Sequence, residues 1–484
     1  MAGLFINGQW LQGEAELLRS LSPADQAVLW EKNTATEMQV AQAVASARAA
    51  QPLWAGMSQL QRNDIVERFA ALLEEQRELM ATAIARETGK PLWEADTEVT
   101  AMKNKIAISI RAQQQRAGDW QRDTLALSHR PHGVMAVYGP YNFPGHLPNG
   151  HIVPALLAGN TLVFKPSEQT PLVAEITVQL WQQAGLPVGV INLLQGAADV
   201  GIALAQQAID GVLFTGSSRT GIALHRQFAG RPEVLLALEM GGNNPLIVGD
   251  VADLSATAWT IVQSAFITAG QRCTCARRLI LPRGERGDAV IRELLNVISR
   301  LRIDHWNAQP AAFMGSLISA DVTKALLDAQ QHLIDLGGKP LRVMQACPSL
   351  GAAYLSPGLI DMSDAKNVPD EEWFGPLLQI YRYADFSEAM YLANNTRYGL
   401  AAGLLSDDVA QQQEFIAQIH AGVISINQPT AGASSELPFG GVGGSGNHRP
   451  SAFYAADYCA WPQAKMQGTA LSMSTLKLPN GVIN

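Results

Sequence analysis

At 484 residues the chain exceeds what one hydrophobic core organises, so two or three domains are expected. A net charge of −8 with no basic run argues against nucleic acid as a partner. Apolar content of 47% and charged content of 16% are those of a soluble globular protein, and no apolar run is long enough to span a bilayer.

The opening residues, Met1 to Trp10, lack the basic start and long apolar block of a signal peptide, so a cytoplasmic protein is expected. The four cysteines are Cys273, Cys275, Cys347 and Cys459, and the one close pair has C-x-C rather than zinc-type or thioredoxin-type spacing. Reduced thiols and no disulfide framework are expected. The nearest approach to metal-ligand spacing, His129 and His132, has Pro131 between, and no metal site is expected.

Taken in order, the chain starts with a short hairpin-like segment, followed by three helical segments over 36 to about 115. In the middle one Ile65, Phe69, Leu72, Leu73 and Leu79 fall at helical spacing among Arg, Glu and Gln, a one-sided stripe that marks a packing element. Residues 118–132 are polar and broken by Pro131. They read as an exposed excursion whose strand pairs with another subunit.

From 133 short β-branched runs alternate with helices. The strands are Val134 to Tyr138, Thr161 to Phe164, Val190 to Leu194, Gly211 to Phe214 and Val234 to Leu238, with helices after Pro148, after Pro171, from Asp199 and from about Thr220. Five strands with four helical crossovers make a doubly wound parallel sheet, whose ligand crevice lies at the carboxyl ends of the strands. Asn142, Lys165, Gly216 and Glu239 each follow one of these strands and so gather along one edge. A second alternating series starts at Pro245 and runs to Asn427, which makes a separate α/β domain. The boundaries read as 1–117 with 133–240 for the first domain and 241–455 for the second. Segments 118–132 and 456–484 are left as an oligomerisation strand and terminal arm, which suggests a homodimer or a dimer of dimers.

Several short stretches carry chemistry. Gly270-Gln271-Arg272-Cys273-Thr274-Cys275-Ala276-Arg277 offers a thiol between cations, and a cysteine is a nucleophile when ionised, which Arg272 and Arg277 would favour. Leu238-Glu239-Met240-Gly241-Gly242 ends an apolar strand on a carboxylate, where burial raises the pKa toward that of a general base. Asn142 in Tyr141-Asn142-Phe143-Pro144 carries an amide that can donate to an oxyanion. Phe214-Thr215-Gly216-Ser217-Ser218-Arg219-Thr220-Gly221 is a strand, a glycine turn and a helix start, a place where dinucleotide phosphates meet backbone N–H groups. Lys165 and Glu168 in Lys-Pro-Ser-Glu can hold the hydroxyls of a ribose, and a carboxylate there favours NAD over NADP. Each stretch by itself also fits an ordinary turn, cap or salt bridge.

Together with Glu372-Trp373-Phe374-Gly375-Pro376 and Pro438-Phe439-Gly440-Gly441, these motifs occur in the order and spacing of the aldehyde dehydrogenase superfamily, which the chain resembles over essentially its whole length. That resemblance implies an NAD domain and a catalytic α/β domain. It also implies a Cys273 nucleophile, an oxyanion held by Asn142 and the Cys273 N–H, and Glu239 activating water against a thioester. For NAD it implies Lys165 and Glu168 on a ribose, Gly216, Ser217, Ser218, Arg219, Thr220 and Gly221 by the pyrophosphate, and Glu372 with Phe374 at the nicotinamide end.

The residues from Gly446 to Pro462, with the Cys273 to Arg278 flank, resemble the branch that oxidises N-succinylglutamate 5-semialdehyde in arginine catabolism. Such an anionic semialdehyde needs cationic or amide donors, for which Arg449, His448 and Arg272 are the candidates. Another semialdehyde, a CoA-acylating reaction and a non-catalytic NAD-binding role are the alternatives.

Overall fold

A sheet buried on both faces needs continuous apolar strands rather than alternating ones. The strands Val134–Tyr138 and Thr161–Lys165 bury all five of their residues each. The computed structural model describes residues 2–468, 471–473, 476 and 479–481. In it the first sheet runs Leu235–Met240, Gly211–Gly216, Val134–Tyr138, Thr161–Lys165, Ile191–Leu193, Leu4–Ile6, Gln9–Leu11. The first five are parallel, and the N-terminal hairpin adds two antiparallel strands at one edge. The strand order reverses on either side of Val134–Tyr138, which is where such sheets bind ligands.

The second sheet runs Lys339–Arg342, Gly358–Asp361, Leu377–Tyr383, Arg278–Pro282, Pro245–Val248, Ala401–Leu405, Val423–Ile426. All are parallel except the edge strand Lys339–Arg342. Leu235–Met240 ends the first sheet and Pro245–Val248 begins the second, so Gly241 and Gly242 join the two halves. Among the described residues no helix is long and apolar enough to cross a membrane.

Two expectations change. The N-terminal helical region holds four helices rather than three: Glu37–Gly56, Gln59–Glu75, Arg77–Thr88 and Leu92–Arg116. Ser58 divides the first two with a capping box to Gln61, and Gly89, at φ 76°, ends the third. The polar excursion also finds a partner within its own chain. Leu125–Pro131 pairs antiparallel with Ala460–Met466 from Pro131↔Ala460 to Leu125↔Met466, and Trp120–Arg122 adds a third strand. Residues 469, 470, 474, 475, 477, 478 and 482–484 of the expected terminal arm lie outside the described residues.

Helix Leu92–Arg116 is more than packing. Its buried residues include Glu94, Glu98, Met102 and Lys105, so one face of an ordinary-looking helix carries three charges into the interior. That face meets helix His146–Ala158 below the carboxyl edge of the first sheet.

The helical layer is held by large apolar side chains. Phe69 and Trp181, both fully buried, stack at 3.7 Å between ring centroids and join Gln59–Glu75 to Pro171–Gln183. Phe69→Ala is expected to cost about 3–5 kcal/mol. The measure is the shift in denaturant midpoint, and a loss under about 1 kcal/mol would show that the stack contributes little.

Candidate active site

The nucleophile loop follows helix Leu254–Phe266, where Thr268, Ala269 and Gly270 turn the chain with φ of 56°, 53° and 71°. Left-handed backbone at two non-glycine residues is strained and persists only when neighbours hold it. Here they do. A Cβ on Gly270 would lie 2.2 Å from the Gly375 carbonyl oxygen, so the loop sits directly on the Glu-Trp-Phe-Gly-Pro segment. The fully buried Arg277 donates to the carbonyls of Gly270 at 2.7 Å, Arg272 at 2.9 Å and Gly375 at 3.3 Å. From the other side Asn244 Nδ2 donates to the carbonyls of Cys273 at 2.7 Å and Cys275 at 2.8 Å. With the carbonyls fixed, the Cys273 N–H has no acceptor among the described residues and is free for a ligand.

Cys273 keeps partial exposure, whereas Cys275 is buried with its sulfur toward the Ile267 carbonyl. The expected cationic activation is corrected. Arg272 turns away, donating to Glu94 Oε1 at 2.7 Å, Thr268 Oγ1 at 2.7 Å and the Ala431 carbonyl at 2.9 Å. Burial pushes the Cys273 thiol up to about 12, Glu372, Glu239 and Cys275 add to the rise, and Arg277 alone opposes it. Two carboxyls beside the sulfur outweigh one guanidinium whose hydrogen bonds are committed to carbonyls.

Those carboxyls come from both halves of the fold. Glu239 is the penultimate residue of strand Leu235–Met240 and is 4% exposed. Burial holds it well above the usual carboxylate range, against hydrogen bonds from Ser451 and the nearby Lys105, and its Oε2 has no hydrogen-bond partner. Glu372 is pushed up to about 7 by burial, with Arg277 opposing, and packs so closely that a Cβ on Gly241 would fall 1.8 Å from its Oε2. Asn142 bridges to the same loop, its Nδ2 donating to the Gln271 carbonyl at 2.9 Å. Its turn is anchored from helix Leu92–Arg116 and the residues just before it. Lys90 Nζ donates to the Asn142 carbonyl at 2.6 Å and to Glu98 at 2.8 Å, while Glu98 Oε1 accepts from the Gly145 and His146 N–H groups.

A partly accessible thiol, two raised carboxyls, a side-chain amide and a free backbone N–H can carry nucleophilic attack on a carbonyl, with oxyanion support and a base. The sequence profile of the aldehyde dehydrogenase family matches residues 10–463. The chain belongs to the aldehyde dehydrogenase family.

Similar full-length proteins include the N-succinylglutamate 5-semialdehyde dehydrogenases of Acinetobacter baylyi and Serratia proteamaculans. The first is 55% identical, covering 100% of this chain and 99% of the relative, and the second 56% identical, covering 97% of each. Among solved structures, the aldehyde dehydrogenase KauB of Pseudomonas aeruginosa superposes with a TM-score of 0.90 at 28% identity, covering 96% of each chain. The indole-3-acetaldehyde dehydrogenase of P. syringae, solved with NAD+, gives 0.90 at 27% identity, again over 96% of each.

Of the residues expected around a dinucleotide, Lys165, Glu168 and Gly216 to Gly221 lie at or just past strand ends of the first sheet. Lys165 ends its strand with Nζ 3.0 Å from the Pro166 carbonyl and 3.4 Å from Glu168 Oε2. Ser217 caps helix Ser218–Gln227 by accepting from the Thr220 N–H at 3.3 Å, and Ser218 Oγ lies 3.3 Å from Tyr398 Oη. Gly221 leaves no room for a Cβ, which would fall 2.3 Å from Met240 Sδ, so helix and strand close tightly behind the turn. Arg219 is exposed. Phe374 stands edge-on to Tyr141 at 6.1 Å and 5.2 Å from the Arg277 guanidinium.

His448 and Arg449 are exposed and line a surface cleft of about 700 Å³ with His225 and Phe228, a cleft that Cys273, Glu239 and Asn142 do not line. Sequence reasoning missed Asn244, Ser451, Lys90 and Lys105. Only Asn244 carried a signal, since it sits two residues past the paired glycines.

Removing a neighbouring negative charge should make the thiol more acidic. Glu372→Gln is expected to speed alkylation of Cys273 by iodoacetamide at pH 8, without cofactor, by about three- to tenfold, up to about one pK unit. Slower alkylation across the pH profile would contradict the charge assignment.

Proposed function

We propose that this chain oxidises N-succinyl-L-glutamate 5-semialdehyde to N-succinyl-L-glutamate, a step of arginine catabolism, with NAD as the acceptor and water as the final nucleophile. The observation that carries the reading is Cys273 held beside Glu239 and Glu372 in a chain about 55% identical, end to end, to dehydrogenases of that name.

Cys273 gives up its thiol proton to solvent, and the thiolate adds to the aldehyde carbon, forming a C–S bond and placing the electron pair of the C=O bond on oxygen. The Cys273 N–H and the second hydrogen of the Asn142 amide donate to that oxyanion. Bound NAD supplies the hydride acceptor that turns this thiohemiacetal into a thioester. Glu239 then takes a proton from water as the water oxygen attacks the acyl carbon, and the Cys273 thiolate leaves with the C–S pair. A carboxyl raised by burial is suited to that base role near neutral pH.

The residues fit NAD. The N-terminus of helix Ser218–Gln227, opening just past strand Gly211–Gly216, would suit a pyrophosphate, the buried Glu372 Oε1 without a hydrogen-bond partner would suit the nicotinamide ribose, and Lys165 with Glu168 would suit the other ribose. The Glu168 carboxylate favours NAD, because a 2′-phosphate would meet its charge. We place the enzyme in the cytoplasm as a homodimer or a dimer of dimers. Exposed Trp120, Leu125, Trp461 and Met466 on the three-stranded sheet support an association surface.

A panel of aldehydes assayed with NAD and NADP is expected to give the highest kcat/KM for the N-succinylated semialdehyde with NAD. Preference for succinate semialdehyde, or dependence of product on CoA, would overturn the assignment. Cys273→Ala should abolish NADH formation. Glu239→Gln should give a burst of NADH followed by a stall, with turnover down about 10²- to 10⁴-fold. Equal loss of burst and turnover would reject the division of roles between the two residues.

A further inference from the structure

Three cations come down to the floor of the site, and two are satisfied. Lys90 is bonded to Glu98 and the Asn142 carbonyl, and Arg272 to Glu94. The third, Lys105, is 2% exposed, and its Nζ finds no hydrogen-bond acceptor among the described residues. Burial disfavours an ammonium that lacks an ion-pair partner and pushes Lys105 down to about 8, with Cys459 and Glu239 opposing.

Gly150 of helix His146–Ala158 leaves the Lys105 ammonium without a side chain covering it from that helix. A Cβ on Gly150 would lie 3.7 Å from Lys105 Cε and 3.9 Å from Nζ, with no other neighbour within 4 Å beyond the helix's own backbone. One turn earlier on the same helix His146 has a buried Nδ1 without a partner, and Lys105, Lys90 and Arg272 all disfavour its protonation. It is therefore a neutral imidazole in a positive surround, free to donate one N–H. The other groups facing Lys105 are Glu239 from strand Leu235–Met240, Cys459 from helix Ala455–Cys459 and His151 from helix His146–Ala158. His151 is already engaged, with Nδ1 3.0 Å from Tyr458 Oη and Nε2 3.0 Å from Thr215 Oγ1.

We propose that Lys105, beside Gly150 and joined by His146 Nδ1, is the carboxylate-binding end of the substrate pocket. It receives the carboxylate separated from the aldehyde carbon by three carbons, while Cys273 and Glu239 act on the aldehyde. The inference rests on the acidic semialdehyde substrate proposed above. It assigns the recognition of charge to a helix of the N-terminal layer rather than to the exposed His448 and Arg449. A carboxylate there supplies the missing counter-ion, and an acidic substrate gains a charge-assisted hydrogen bond that an uncharged aldehyde of the same length cannot make.

The test compares glutarate semialdehyde with pentanal, which have the same five carbons and differ in the carboxylate. In Lys105→Met the ratio of their kcat/KM values is expected to fall about 10- to 100-fold, mainly through KM for the acid, and Lys105→Arg should restore part of it. Gly150→Ala, which covers the ammonium without touching its charge, should lower the ratio at least about threefold. In the unsubstituted enzyme KM for glutarate semialdehyde should rise as pH passes about 8, because the free Lys105 loses its proton there, and Lys105→Met should lose that rise. Equal loss with both aldehydes, or a loss in kcat alone, would overturn the proposal and make Lys105 a partner of Glu239. A preference for succinate semialdehyde over the N-succinylated substrate would reject the substrate reading alone, because the glutarate–pentanal pair reports the carboxylate contact independently.

Discussion

The guanidinium of Arg277 is the constraint around which the site is built. It is removed from water, its nearest carboxylate oxygen on Glu372 is 3.8 Å away, and its Nε has no partner, so carbonyl dipoles carry most of its satisfaction. A planar fork of donors suits that task in a way an ammonium does not. By holding the carbonyls of Gly270, Arg272 and Gly375 it fastens the nucleophile loop to the segment that carries Glu372. Asn244 holds the next carbonyls from the opposite side, and the left-handed residues Thr268 and Ala269 are kept in place between these two anchors.

Four carboxyls lie close to this loop, and their surroundings divide them into two kinds. Glu94 and Glu98 are fully buried but answered, one by Arg272 and the other by Lys90 and two backbone N–H groups. They brace the loop and the Asn142 turn. Glu239 is buried with no ion-pair partner, Glu372 is partly buried with the Arg277 guanidinium no nearer than 3.8 Å, and desolvation raises both. A carboxyl whose charge is poorly compensated is the one able to exchange a proton or await a ligand. Burial raises the thiol as well and the two acids add to the rise, so reactive sulfur and reactive acid restrain each other in the protein alone.

The joint between the sheets matters for the same reason. Glu239 sits at the end of one sheet, Asn244 just before the next begins, and Gly241 lets Glu372 close over the turn between them. Six residues of chain, Glu239 to Asn244, thus bring the base, the loop anchor and the second carboxyl to one place. The N-terminal helices take part too, since the buried face of Leu92–Arg116 supplies the charges beneath the Asn142 turn.

The strands of the first sheet were legible because continuous β-branched runs between turn residues depend only on local pattern. Glu239, Asn142, Gly216 and Lys165 were legible because parallel sheets collect functional groups at strand ends, whereas Cys273 stood out through the cations beside its thiol and the order of the motifs around it. The short strands Lys339–Arg342 and Gly358–Asp361 were not, since strands of four residues carry too little periodicity to stand out. Nor was the pairing of Leu125–Pro131 with Ala460–Met466, which rests on contacts more than 300 residues apart in the chain. The sign of the shift at Cys273 was also decided only in three dimensions. Adjacent arginines in sequence suggested a lowered thiol, but one of them turns to Glu94, and burial beside two acids from distant segments prevails. Sequence by itself determined which groups are present and which strands carry them. Folding decided which charges meet and how much water remains between them, and those two quantities set reactivity.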